Sequence, residues 1–136
     1  MRFVHLGIHT EFSISESIVR IPDLIKAAVN EEMPALALTD LSNLHAAIKF
    51  YTKCLDKGIK PILGSNIRLN NAEHKATLLA MSNKGWRNLT EIVSRGFIEG
   101  QQLDIPCVHK EWILEQNQDL IVLLGMHSDV GKMLNS

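Results

Sequence analysis

The sequence predicts an α/β fold of mostly parallel strands alternating with helices, and three observations carry that expectation. Short apolar runs recur along the chain, at residues 3–8, 35–38, 59–69, 76–81 and 120–124. Stretches of helical period separate most of them. The 136 residues suit one domain with one main core. Right-handed crossovers between such strands build either a doubly wound sheet or part of a barrel.

Taken in order, residues 3–8 read as a strand. Pro22 and Asp23 suit the first turn of a helix, where proline loses no hydrogen bond and a carboxylate meets the positive end. That helix runs to about Glu32 with Leu24, Ile25 and Ala28 on one face, and Met33-Pro34 stops it. Residues 35–38 form the second strand. Ser42 or Asn43 is the expected cap of the next helix. Its Leu44, Ile48, Tyr51 and Leu55 recur at i, i+4, i+7 and i+11, the spacing of a buried stripe, and Lys57-Gly58 ends it. The third strand lies within 59–69, where Pro61 marks a strand start or an edge. Asn70-Asn71 turns the chain into a fourth strand over 76–81. Ser82 or Asn83 caps a helix to about Phe97, with Leu89, Ile92 and Val93 inward. A polar loop through Gly100, Gln101 and Gln102 leads to a short helix over 110–116. DLIVLLGM has the length of a buried strand, and residues 130–134 add a final helical turn.

Composition narrows the function. Lys and Arg total 14 against 15 Asp and Glu, a net charge of −1, without the basic stripe of a dedicated nucleic-acid binder. No apolar run approaches the ~20 residues of a membrane span, and residues 1–8 lack the pattern of a secretory leader. Cys54 and Cys107 follow no disulfide framework and read as reduced thiols in a cytoplasmic protein.

Functional groups in parallel α/β folds collect beyond the C-terminal ends of strands. His9 and Asp40 follow the first two strands, Glu16 lies in the loop after the first, and Ser65 and Asn66 lie near the end of the third. An imidazole and two carboxylates there outline a partial metal site. His5, four residues before His9 on an extended chain, stands about 13 Å from it, too far to share an ion unless the strand bends. His45, His74, His109 and His127 read as local or solvated side chains, and the Cys107–His109 pair as no nucleophile. Phosphate-binding glycine loops and a G-x-S-x-G elbow are absent. Glu91 and Glu99, interspersed with Lys84, Arg87 and Arg95, predict a solvated helix face.

Five ordered blocks then carry a resemblance: FVHLGIHTEFS, MPALALTDLSNL, GIKPILGSNI, NKGWRNLTEIVSRGF and DLIVLLG. From about Phe3 to about Gly131 the chain resembles the N-terminal part of the PHP (polymerase and histidinol phosphatase) domain of bacterial DNA polymerase III alpha subunits. The resemblance implies that residues 1–136 are the first half of a distorted (βα) barrel. It also implies that the sequence stops at a boundary within a longer chain. Half a barrel leaves sheet edges unpaired, so self-association along an edge or an open sheet is expected.

Active PHP domains hold a metal cluster and hydrolyse phosphoesters. Against their motifs the chain keeps His9, Glu16 and Asp40. It lacks a ligand at Gly7, where the family has histidine, at Leu41 within Thr39-Asp40-Leu41-Ser42 in place of Thr-Asp-His-Gly, and at Asn66 in place of glutamate. Lys75, rather than His74, aligns with a further family histidine. The resemblance therefore implies a metal-free, catalytically inactive segment of a replicative polymerase, docking the proofreading exonuclease subunit without contacting DNA itself. DNA-directed synthesis and its Mg²⁺ would belong to domains outside this chain. The alternative is a Zn²⁺- or Mn²⁺-dependent phosphoesterase or 3′–5′ exonuclease using His9, Glu16, Asp40 and His5 or His45.

Overall fold

Pro22 and Asp23 open the first helix, as their chemistry requires. In the computed structural model, which describes residues 3–69 and 74–125, α1 spans Ile21–Asn30 and buries Ile21, Ile25 and Ala28. β1 follows at Ala35–Leu38, buried throughout. α2 covers Ala47–Asp56, and Gly58 beyond it adopts φ +71°, a left-handed turn that glycine accepts without strain. β2 (Lys60–Leu69), β3 (His74–Ala80), α3 (Asn83–Ile98), β4 (Gln101–Gln102), β5 (Ile105–Pro106), α4 (Lys110–Glu115) and β6 (Leu120–Leu124) complete the order. The Asn70-Asn71 turn and the helical turn expected at 130–134 lie outside the described residues.

The four main strands lie in the order β1-β2-β3-β6. Only β1 and β2 are parallel; β3 runs antiparallel to β2, and β6 to β3. The expected mostly parallel sheet is therefore corrected to a mixed one. Leu69 and His74 are too close in sequence for a crossover helix, which a parallel return needs, so the chain must double back. The described residues form an open sheet.

Register assigns the two faces. Leu36 and Leu38 pair with Pro61 and Leu63, and Ser65 and Ile67 with Leu78 and Ala76, so these share one face. That face carries the core. Leu36, Leu38 and Ile59 pack with Ile21, Ile25, Phe50 and Cys54 of α1 and α2. Ile67, Ala76 and Leu78 pack with Leu89, Ile92 and Val93 of α3, as the sequence led one to expect for those three. Alternation sends Asn66, Arg68, Lys75 and Thr77 to the opposite face.

Four further expectations are corrected. Residues 3–8 are extended but not a strand. Their carbonyls at His5 and Ile8 accept from Ala37 and Thr39 of the β1 segment, yet the Ile8 N–H is taken by the Thr39 hydroxyl (2.7 Å), which interrupts the ladder. Neither Ser42 nor Asn43 caps α2, which begins at Ala47; Asn43 instead closes a local turn by accepting from the His45 N–H. The buried face of α2 is Ala47, Phe50 and Cys54, whereas Ile48, Tyr51 and Leu55 are exposed. β6 is an edge strand with its apolar side chains exposed, not a buried one. Ser82 does cap α3, accepting from the N–H groups of Lys84 and Gly85. The loop after it holds an unforeseen hairpin: Leu103 and Asp104, both at positive φ, form the two-residue turn between β4 and β5.

Candidate functional site

Asp40 leaves the end of β1 and is buried. Its carboxylate accepts three hydrogen bonds: Oδ1 from the Thr10 N–H (2.6 Å) and the Ser13 hydroxyl (2.7 Å), and Oδ2 from the Thr10 hydroxyl (2.7 Å). The Ser13 oxygen accepts in turn from the Leu41 N–H. Behind it, the buried Ser65 hydroxyl donates to the Asp40 carbonyl, and the Asn66 N–H does the same. Asp40 thus fastens the loop that follows the N-terminal segment to the end of β1 and to the middle of β2, which runs on to Leu69 past the expected end near Ser65 and Asn66. Among sequence signals, the Thr10 and Ser13 spacing was the one that marks such a loop, since short hydroxyl side chains favour local turns.

Glu16 is held by cations. Lys75 Nζ lies 2.7 Å from Oε1, Arg68 approaches the same oxygen at 3.7 Å, and His9 Nδ1 is 3.1 Å from Oε2. The Lys75 hydrogen bond, reinforced by the other positive charges, holds the Glu16 carboxyl below the ordinary value of 4.5. The folded chain therefore keeps this carboxylate charged at pH values where the unfolded chain protonates it. The stabilisation is complete above the ordinary value and is lost as pH falls through the lower, folded one. Wild type should exceed Glu16→Gln in thermal midpoint at neutral pH, with the gap closing below pH 4.5. A gap that persists unchanged into acid would show that the ion pairs contribute nothing.

The remaining candidates fall in different places. Gly7 faces open space, where an added Cβ would meet nothing within 4 Å. Leu41 forms a backbone bridge to Asn66. The Asn66 amide donates to Thr77 at 3.3 Å, while its buried Oδ1 has no hydrogen-bond partner. His5 is exposed and meets Phe3 edge-on. His45 is exposed beside the start of α2. His74 begins β3, and His109 packs its ring edge-on against Trp112. His127 lies outside the described residues. Cys54 and Cys107 are free and buried, and burial pushes the Cys54 thiol up to about 11. Arg95 pairs with Glu99 and Glu115 and lies over the Trp112 ring.

Ser42, next to this network, has φ +52° and a buried hydroxyl without a partner. A left-handed backbone costs a side-chain-bearing residue about 1 kcal/mol or more, and an unpaired buried hydroxyl adds to that. Ser42→Gly should therefore stabilise the chain by about 1 kcal/mol, net of glycine's greater unfolded-state freedom. Chemical denaturation would show it as a raised midpoint with an unchanged slope.

Residues 5–135 match the family profile of the PHP domain. The chain belongs to the PHP domain family. It is 44% identical to DNA polymerase III subunit alpha of Pseudomonas fluorescens over 126 residues, covering 89% of this chain and 11% of that protein. The same subunit from Xylella fastidiosa (strain Temecula1) is 39% identical over 150 residues, covering 97% and 13%. That from Escherichia coli (strain K12) is 37% identical over 139 residues, covering 98% and 12%. The chain thus spans 11–13% of the length of these relatives.

A PHP domain implies a metal cluster, and the donors among the described residues do not fit one. His9, Glu16, Gly7 and Asn66 line one open cleft of about 680 Å³. Glu16 is already paired with Lys75 and Arg68, and the Asp40 carboxylate already accepts three hydrogen bonds from the protein's own donors. Asn66 Oδ1 is an unspent acceptor there, but a neutral amide cannot replace the missing charged ligands. Among the described residues no group of three or more His, Cys, Asp or Glu side chains converges on a common point. Sequence reasoning missed Arg68 as a member of this site and named Lys75 only as the residue at a family histidine position. Strand alternation placed both on the face of Asn66, a signal that needed the β2–β3 register to be read.

Proposed function

We propose that this PHP segment is a metal-free structural and docking module of a DNA polymerase III alpha subunit. The polymerase reaction, its Mg²⁺ and the replication role belong, on this reading, to the rest of that longer chain, in a cytoplasmic setting. No helix among the described residues is long and apolar enough to cross a membrane. The observation that carries the reading is the use of both retained carboxylates as protein fasteners: Asp40 for the hydroxyls and N–H of the 10–13 loop, Glu16 for Lys75 and Arg68. A domain freed from holding metal retains its fold as its contribution, and its surface can support the polymerase body and the proofreading exonuclease subunit. The remainder of the barrel would complete the sheet beyond β6, whose exposed edge otherwise invites self-association.

Two measurements test this. Plasma mass spectrometry on the complete domain, after incubation with Zn²⁺ and Mn²⁺ and removal of free ions, should find well under one ion per chain. Sedimentation of the complete subunit with the exonuclease should show a complex. A tightly held stoichiometric ion would instead favour a phosphoesterase that uses His9, Glu16 and Asp40 after rearrangement.

A further inference from the structure

α1 and α2 lie side by side and leave between them a groove of about 410 Å³. Its apolar lining is the exposed Pro22 and Val29 of α1, with the buried Ile25 between them and Asn30 at the helix end. Lys26 stands on α1, and Lys53 and Lys57 come from the last turn of α2 and its C-terminal cap. Asp56 is the carboxylate on this lining, against three ammonium groups. None of the three lysines makes an ion pair among the described residues. Lys49, also on α2, is paired with Glu11, and Lys75 with Glu16.

Two of these cations sit where the carbonyls of a helix C-terminus attract positive charge. Lys26 does not, because it lies in the middle of α1. With Lys53 and Lys57 it puts three ammonium groups along one groove beside Pro22 and Val29. A nucleic-acid backbone would meet the charges but leave Pro22 and Val29 uncovered. A peptide with carboxylates on either side of an aliphatic side chain meets both demands, the aliphatic group on the apolar lining and the carboxylates at the lysines. We propose that the α1–α2 groove binds an acidic–aliphatic linear segment of a protein partner. The groove is separate from the Asp40 network: α1 and α2 end where β1 and β2 begin, whereas Asp40 lies beyond the far end of β1. It therefore stands whether or not the exonuclease is the subunit that docks.

The test selects random peptides displayed on phage against the whole chain, then measures the enriched peptide by fluorescence anisotropy. Enrichment of Asp or Glu flanking Leu, Ile or Val is expected. The double variant Lys53→Glu/Lys57→Glu should weaken binding by about tenfold or more, the loss of one to two charge-assisted contacts. Val29→Asp should do the same through the apolar lining, and both variants should keep the wild-type thermal midpoint within a few degrees. A single-stranded oligonucleotide should not compete. The proposal is overturned if no peptide is enriched, if the enriched peptides lack carboxylates, or if both variants bind as wild type does. Complete displacement by the oligonucleotide would also overturn it and assign the lysines to nucleic acid.

Discussion

Asp40→Ala should lower the stability of the chain by about 3–5 kcal/mol, because it strips a shared anionic acceptor from buried donors. Thr10 N–H, Thr10 Oγ and Ser13 Oγ all point at that carboxylate, and Thr10 and Ser13 are themselves buried. A hydrogen bond to a charged group contributes about 1.5–3 kcal/mol net, and donors left unpaired in the interior add their own desolvation cost. The effects will not simply add, since the three bonds form one network. Damage should also spread: with Ser13 released, the Leu41 N–H loses its acceptor, and the loop no longer crosses the end of β1. Urea unfolding monitored by tryptophan fluorescence reports this, as Trp86 packs against both core clusters and Trp112 against one.

Asp40→Asn separates this fastening role from metal ligation. Its amide oxygen can still accept from the Thr10 N–H and Ser13 hydroxyl, and its NH₂ can donate to Thr10 Oγ once that hydroxyl turns. Only the charge is lost, so a cost of about 1–2 kcal/mol is expected, well below that of alanine. A metal ligand would behave otherwise. Removing its negative charge would abolish ion binding almost as fully as truncation, and both variants would lose the same activity.

How far the sequence revealed this site depends on which physics each residue expresses. Asp40 at the end of a strand was legible from strand position alone, whereas its buried partners Thr10 and Ser13 were missed, because short hydroxyl side chains in a loop read as local turn formers. The resemblance placed Lys75 at the position of a family histidine, but its pairing with Glu16 was not legible, because locally it reads as an ordinary exposed strand residue. Pro61 stands at the start of β2, as expected: β1 pairs with it on one side, but β3 joins β2 only from Gly64 onward, so the missing N–H leaves nothing unsatisfied on the other. The direction of β3 escaped although its signal was present, since the connection between Leu69 and His74 is too short for the helix that a parallel return needs. Leu103 at φ 50° escaped for a different reason, as leucine carries none of the turn chemistry that marks a hairpin of this type.

Phe50→Ala should cost about 3–5 kcal/mol, whereas Ile48→Lys, two residues away, should change stability by no more than about 0.5 kcal/mol. Both residues lie on α2, and periodicity alone favours the opposite outcome. Leu44, Ile48, Tyr51 and Leu55 form the longer apolar stripe, yet Ile48 is 83% exposed and Phe50 is fully buried. The competing stripe, Ala47, Phe50 and Cys54, is also spaced at i, i+3 and i+7, and two of its members are small. Small residues let α2 approach β1 closely enough for Phe50 to reach Leu36 and Leu38 beneath it, so packing distance overrides total hydrophobicity. Removing the ring leaves a cavity between two helices and the sheet, which such a tightly bounded layer can close only in part. Equal costs for the two substitutions in urea denaturation, at unchanged slope, would mean that α2 is rotated to bury the longer stripe.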